Sequence, residues 1–362
     1  MRFSSNTRTT ERGGGVSGPS EDAAASCALL SKHRAQRSGP RAPSSISGCV
    51  PHRALPYRLL TVVGLALLLA ACDDFDPGGW NRYQEDFHFS YPLAAGGKID
   101  VENVNGEVDI SGWEKNTVEI NGTKYSNSKS TLDGMKIDVV PAADSIHIRT
   151  LPAVPIHGGA GARYSIRVPR HTVLERIVSS NGGVHIDDIQ GNANVHTSNG
   201  GIRVERLQGD LDAQTSNGRI EAHDTHGNCF LHTSNGRIEA EDAGKGAFEA
   251  TSSNGSVHVR LSEPDPDHPV KIETSNGSID LALESAREVR SRTSNSSITL
   301  HLPESLNAHL RARTSNSSIN SDFDVTVHGG TLSKHSLDGD IGKGGPLIDL
   351  VTSNGGIKIV KE

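Results

Sequence analysis

The feature that most limits what this chain can fold into is a tetrapeptide, Thr-Ser-Asn-Gly or a near variant, that returns at almost constant intervals. With the asparagine as reference it falls at Asn181, Asn199, Asn217, Asn235, Asn254, Asn276, Asn295, Asn316 and Asn354, in steps of 18, 18, 18, 19, 22, 19 and 21 residues before one longer gap. Asp338-Gly339 stands in that gap as a further unit, with Ile341 placed like the apolar residue of the others. A fixed period of this size marks a repeat architecture, in which no unit buries enough surface alone and neighbours seal each other's cores.

The side chains around the tetrapeptide predict strands. Three residues after each asparagine stands a β-branched residue: Val184, Ile202, Ile220, Ile238, Val257, Ile279, Ile298, Ile319 or Ile357. Two further on come Ile186, Val204, Ala222, Ala240, Val259, Leu281, Leu300 and Ile359, with Ser321 breaking the row. This is the period of two that a half-buried strand requires. A second strand follows a mid-unit glycine and reads Ala193, Leu211, Cys229, Phe248 and then Val195, Ala213, Leu231, Ala250, with a corner at Ile189, Leu207, Thr225 and Ala243 between the two. The expected fold is therefore all-β: a parallel β-solenoid of roughly 18 to 22 residues per coil, with strands about 4.8 Å apart. The apolar offsets do not follow a six-residue repeat, and a right-handed or flattened coil fits them.

The Ser-Asn-Gly corner suggests two local expectations. Asn and Gly tolerate the positive φ of a sharp reversal. Stacked asparagines can also pair amide to amide, giving a structural ladder that satisfies polar groups the corner would otherwise bury. Val104 to Ile110 reads as a divergent first unit, and with the segments near Met135 to Val140 and Tyr164 to Val168 it places a cap over 93–175, ahead of regular coils over 176–362. Ile357 to Glu362 reads as the closing edge strand, its lysines discouraging further stacking.

Composition agrees with ladders in place of one large interior, since the chain has 39 glycines, two tryptophans and 4% aromatic residues. A net charge of -7 offers no basic face for wrapping a polyanion, so nucleic acid is not an expected partner. Of the four cysteines, Cys27, Cys49, Cys72 and Cys229, no disulfide framework is implied, and Cys229 reads as a small buried hydrophobe.

Residues 1–49, rich in Ser, Arg, Gly and Pro, lack apolar periodicity and are read as a disordered leader or as a mis-called start ahead of a true one near Val50. Residues 50–71 then have the layout of a secretory signal, with His52, Arg53 and Arg58 before the apolar run Leu59 to Ala71, which is too short to span a bilayer. Leu69-Ala70-Ala71-Cys72 resembles the bacterial lipoprotein box. That resemblance implies diacylglycerol on the Cys72 sulfur, a membrane-lipid partner through it, and a tether over 72–92 that includes Asp76-Pro77-Gly78-Gly79. The expected location is the bacterial envelope, outside the cytoplasm. Asp73 after the cysteine favours the inner membrane under the enteric sorting rule.

From about Gly96 to Glu362 the chain resembles the bacterial adhesin-like β-strand-repeat domains of unknown function (DUF4097-like). The resemblance rests on Val104-Asn105-Gly106, on Val168-Pro169 and on the Ser-Asn-Gly units. It implies a β-solenoid in the bacterial envelope and no established reaction. The sequence departs at Asn295-Ser296 and Asn316-Ser317, where glycine is lost.

The outer rows are where chemistry would lie, because polysaccharide-cleaving enzymes also use parallel β-helices. One row reads Asp187, Glu205, His223, Glu241; the next Asp188, Arg206, Asp224, Asp242; another His185, Arg203, Glu221, Glu239. Each mixes acids with bases, as solvated faces do, and 18-residue coils leave little chain to wall a cleft, the largest insertion being Ser262 to Pro269. His196 and His232 share a row with Gln214 between them, too far apart to hold one ion, and the Asp338-Gly339-Asp340 turn lacks a calcium-roll repeat. No Gly-x-Ser-x-Gly, phosphate-loop or His-Glu-x-x-His motif occurs. The leading expectation is a non-enzymatic, lipid-anchored scaffold or adhesin-like surface without metal or cofactor, binding an envelope glycan or protein. The rivals are a polysaccharide-acting enzyme working near Glu221, Glu239 and Arg203, and a component of an envelope-stress sensor.

Overall fold

The computed structural model describes residues 83–362, apart from 153–158, 244, 263–266, 286 and 329–332. The expected leader, signal segment and lipidated Cys72 lie outside the described residues.

The chain opens with β1 (Tyr83–Pro92), β2 (Lys98–Asn103), β3 (Val108–Trp113), β4 (Thr117–Ser126), a short helix α1 (Lys129–Gly134), β5 (Lys136–Pro141), β6 (Ser145–Leu151) and β7 (Gly161–Pro169). Seven coils follow, each a pair of strands: β8 (Val173–Ser179) with β9 (Val184–Ile189), β10 (Ala193–Thr197) with β11 (Ile202–Gln208), β12 (Leu211–Thr215) with β13 (Ile220–His226), and β14 (Cys229–Thr233) with β15 (Ile238–Ala243). The series goes on with β16 (Phe248–Ser252) and β17 (Val257–Leu261), β18 (Val270–Glu273) and β19 (Ile279–Leu283), then β20 (Val289–Arg292) and β21 (Ile298–Leu302). The last strands are β22 (Ala308–Thr314), β23 (Ile319–Ser321), β24 (Val325–Val327), β25 (Ser336–Ile341), β26 (Leu347–Thr352) and β27 (Ile357–Lys361).

These strands form two sheets, and in the regular coils each sheet takes one strand per coil, parallel to its neighbours. This is the β-solenoid that the repeat predicts. Ile202, Ile220 and Ile238 are direct partners in one column, and Ile298 faces Ile357 in the same row. On the second sheet Leu211, Cys229 and Phe248 do likewise. The inward side chains of both sheets are essentially sealed from solvent and form one continuous core, each aliphatic contributing about 1.5–3 kcal/mol by burial.

Both ends depart from simple stacking in chain order. The first coil, β2–β3, lies between β6–β7 on its outer side and β8–β9 on its inner side. Strands β1, β4 and β7 then pair antiparallel, as do β5 and β6, which turns the exposed end into a hairpin cap. The outermost strand, β1, carries a charge at the edge: the exposed Glu85 reaches Lys124 Nζ at 3.0 Å, and Lys124 is buried with its Nζ also donating to the Met135 carbonyl at 3.3 Å. Charge at an edge strand disfavours the addition of another apolar rung.

At the far end the structure corrects two expectations. Ile357 to Lys361 is not the edge strand, because β27 lies between β21 and β23, and β26 between β20 and β22. Nor does Asp338-Gly339 form a rung. It belongs to β25, which runs antiparallel to β22 and pairs also with β24 to close the second sheet. Asp338 and Gly339 lie in mid-strand opposite Arg311 and Leu310, so a dipeptide that usually marks a turn makes none here and the periodicity misleads.

Candidate binding face

The repeated corner is built from the threonine upward. Thr215 is buried; its Oγ1 accepts from the Gly218 N–H at 3.1 Å and donates to the Gly200 carbonyl of the preceding coil at 3.0 Å. The same pair of bonds recurs at Thr197, Thr233, Ser252 and Thr274. This hydroxyl column joins consecutive coils where the backbone turns inside the protein.

The corner glycine is required for a reason other than the expected positive φ. Gly200, Gly218, Gly236 and Gly255 do not have left-handed backbones; a Cβ on Gly218 would instead stand 1.8 Å from the Gly200 carbonyl oxygen. Stacked backbones approach closely there, which favours glycine, and only the corners at Ser296 and Ser317 carry a side chain in its place among the Asn corners. Positive φ falls on the opposite corner, at Asp188, Arg206, Asp224 and Asp242, with φ of 50 to 58°. Three of the four are aspartates, which enter this region with less strain than most residues.

The asparagines form a column on the surface. Asn199 Nδ2 donates to Asn181 Oδ1 at 2.7 Å, Asn217 to Asn199 at 2.8 Å, and Asn235, Asn254, Asn276 and Asn295 each to the one before at 2.7 Å. Asn181 donates to Asn105 at 2.6 Å. At the other end the order is Asn295, Asn354, Asn316, with bonds of 2.8 and 2.7 Å, because the last coil is intercalated. These amides are exposed, so the expectation that they relieve buried polar groups is corrected: the threonines do that.

Outward side chains make long rows. On the first sheet Asp109, His185, Arg203, Glu221, Glu239, His258 and Asp280 face one another rung by rung. Glu221 is clamped between Arg203 Nη2 and Arg219 Nη1, both at 2.5 Å, and Glu239 stands 4.0 Å from Arg219. Partial burial by itself would raise the Glu221 pKa, but the bonds from Arg219 and the charge of Arg203 outweigh it and hold the carboxyl below its ordinary value. Glu221 is thus a structural anion, shielded on two sides. An open groove of about 420 Å³ beside it is lined by Glu107, His185, Arg203 and Arg219.

Histidines of this face sit beside carboxylates of neighbouring rungs: His185 with Asp109 at 3.3 Å, His223 with Glu241 at 3.6 Å, and His301 with Asp280 at 3.2 Å and Glu362 at 3.1 Å. His196, Gln214 and His232 share one row of the second sheet, where Phe230 is 43% exposed between Asp212 and Glu249. Among the described residues no three His, Cys, Asp or Glu side chains are placed to hold one metal ion. Cys229 is a buried free thiol, and burial pushes its pKa up to about 12. Among the described residues no helix is long and apolar enough to cross a membrane.

Sequence reasoning missed the hydroxyl column, the left-handed corner and the exposed Phe230. The first had a signal, since Thr or Ser precedes each corner asparagine by two residues, and so had the second, in the Asp that precedes three of the four corner residues Ile189, Leu207, Thr225 and Ala243.

Stacked coils with interlocked corner ladders and mixed-charge outer faces define a β-solenoid fold. The chain belongs to the Toastrack DUF4097 family, whose pattern it matches over residues 90–282. Among solved structures it is similar to a protein provisionally described as a cell adhesion protein from Clostridium sporogenes, at 12% identity over 77% of this chain and 100% of that one, with a TM-score of 0.23. A provisionally described adhesin from Bacteroides fragilis matches at 13% identity over 76% and 97%, with a TM-score of 0.24. A provisionally described lipid-binding protein from Parabacteroides distasonis matches at 12% identity over 78% and 98%, with a TM-score of 0.34. At these values the fold rests on the family match and on the strand pairing itself. No curated protein is similar to the chain.

Proposed function

We propose that the protein is a non-enzymatic, lipid-anchored scaffold of the bacterial envelope, held by an acylated Cys72, whose outer rows bind an extended partner, either a glycan or a protein strand. The observation that carries this reading is the register of the outward rows: charged and hydrogen-bonding groups repeat at the strand spacing of about 4.8 Å along a rigid face. An extended chain presents its own groups at a comparable repeat, so it gains many weak contacts at once. The clamped Glu221 supports binding over turnover, because a carboxylate held between two guanidiniums and kept below its ordinary pKa makes a poor proton donor near neutrality.

Two measurements test the reading. Growth with labelled palmitate is expected to label the natural chain in the membrane fraction and leave Cys72→Ser unlabelled and released; equal labelling of both would remove the anchor. Affinity capture by the full chain on intact envelopes is expected to retain a glycan or protein that is lost when outward charges of the Arg203 row are reversed. Release of reducing or unsaturated ends from a polysaccharide, abolished by Glu221→Gln, would instead establish an enzyme.

A further inference from the structure

The place of the last coil is unusual for a chain that otherwise stacks in order. Residues 347–361 enter between two coils that were already adjacent in sequence. Strand β26 pairs in parallel with β20 on one side and β22 on the other, and β27 likewise with β21 and β23. Ile348, Leu350, Ile357 and Ile359 are all buried in the slot. The walls are nearly equivalent, since the same heptapeptide, Arg-Thr-Ser-Asn-Ser-Ser-Ile, occupies 292–298 and 313–319.

The coil is joined to both walls by the same corner bonds that link the regular coils. Thr352 donates to the Ser296 carbonyl at 2.9 Å, Thr314 to the Gly355 carbonyl at 2.8 Å, and a Cβ on Gly355 would lie 1.7 Å from the Ser296 oxygen.

The coil is also attached by one short strap. Residues 342–346 cross over the start of β22, with Gly342 and Gly344 at φ of +63 and +75°. The strap is held there by Lys343 N–H to Asn307 Oδ1 at 2.8 Å and by His309 N–H to the Pro346 carbonyl at 3.0 Å. The ladder bonds of the coil run to the slot walls on both sides. An emptied slot exposes unpaired strand edges on two sheets, the strongest template for an identical segment.

We propose that this slot is an interaction site for a second copy of the chain, which is joined by exchange of residues 347–362. The partner's coil makes the same bonds as the resident one, so exchange costs the opening step and the entropy of association.

Arg292 and Val351 are direct cross-strand partners with outward side chains, and the doubly substituted full chain Arg292→Cys/Val351→Cys reports both register and exchange. Unlabelled and nitrogen-15 copies are mixed under reduction, warmed to the onset of melting, cooled, oxidised and digested. A link between peptides of one isotope verifies the register, and mixed-isotope links at up to half of the total are the expected sign of exchange. Same-isotope links alone would overturn it. Should the variant not fold, the natural chain is taken through the same cycle with a biotinylated 347–362 peptide; retention of the chain on streptavidin supports exchange and its absence overturns it.

Discussion

Thr215 Oγ1 and the Gly200 carbonyl, one coil apart in the stack, are joined by a buried 3.0 Å hydrogen bond that repeats through most of the rod. Replacing Thr215 with Val keeps the shape but leaves the Gly218 N–H and that carbonyl without this partner. A loss of about 1–3 kcal/mol is expected in denaturant unfolding. Thr215→Ser is expected to lose no more than about 1 kcal/mol, as Ser252 already holds this position in another coil. Asn217→Ala, on the surface, is expected to fall below Thr215→Val in cost.

Two adjacent glycines separate close approach from chain flexibility. A Cβ on Gly200 would meet the Gly182 carbonyl at 1.9 Å, whereas one on Gly201 finds the Arg219 carbonyl at 3.3 Å. Gly200→Ala is expected to destabilise by about 1–3 kcal/mol or more. Gly201→Ala is expected to stay within about 0.5 kcal/mol, matching the arginines at positions 219 and 237 of the next coils.

The Glu221 clamp gives a pH dependence with a definite sign. Its folded pKa lies below the ordinary 4.5, so its stabilising contribution is complete above that value and is lost as pH falls through the lowered one. Glu221→Gln is expected to be less stable than the natural chain by about 1 kcal/mol near neutrality, with the difference vanishing in acid. A difference that grew on acidification would contradict the clamp.

The Cys229 thiol, buried and pushed up to about 12, is expected to resist alkylation at pH 8 in the native protein and to react fully once unfolded, as read by mass. Rapid native alkylation would place Cys229 outside the core column.

How far the fold was legible follows from what local pattern can encode. The column Ile202, Ile220, Ile238 and its partner Leu211, Cys229, Phe248 could be read directly, since each unit repeats both the apolar positions and the corner. The intercalation of Ile357 between Ile298 and Ile319 could not, because all three units carry the same local signal and their order is set by which edges remain open. The role of the corner was half legible. Asn and Gly marked the turn, but only stacked backbones reveal that Gly218 answers a carbonyl 1.8 Å from its absent Cβ and that Thr215 is the buried polar group. On the outer face, the row of Arg203, Glu221 and Glu239 was visible, while the clamp by Arg219 depended on a corner residue turning its guanidinium toward the carboxylate two positions later.

The central claim, one column of coils with the last one second from the end, is tested most directly by distances from a spin label at Arg203→Cys, with Cys27, Cys49 and Cys72 replaced by Ser. Partner labels at Thr299, Lys358 and Asn320 lie five, six and seven rungs away along one row. At about 4.8 Å per rung the backbone separations are expected near 24, 29 and 34 Å, in that order. A Lys358 distance longer than that of Asn320, or distances that do not grow by equal steps, would contradict the stacked and intercalated rod.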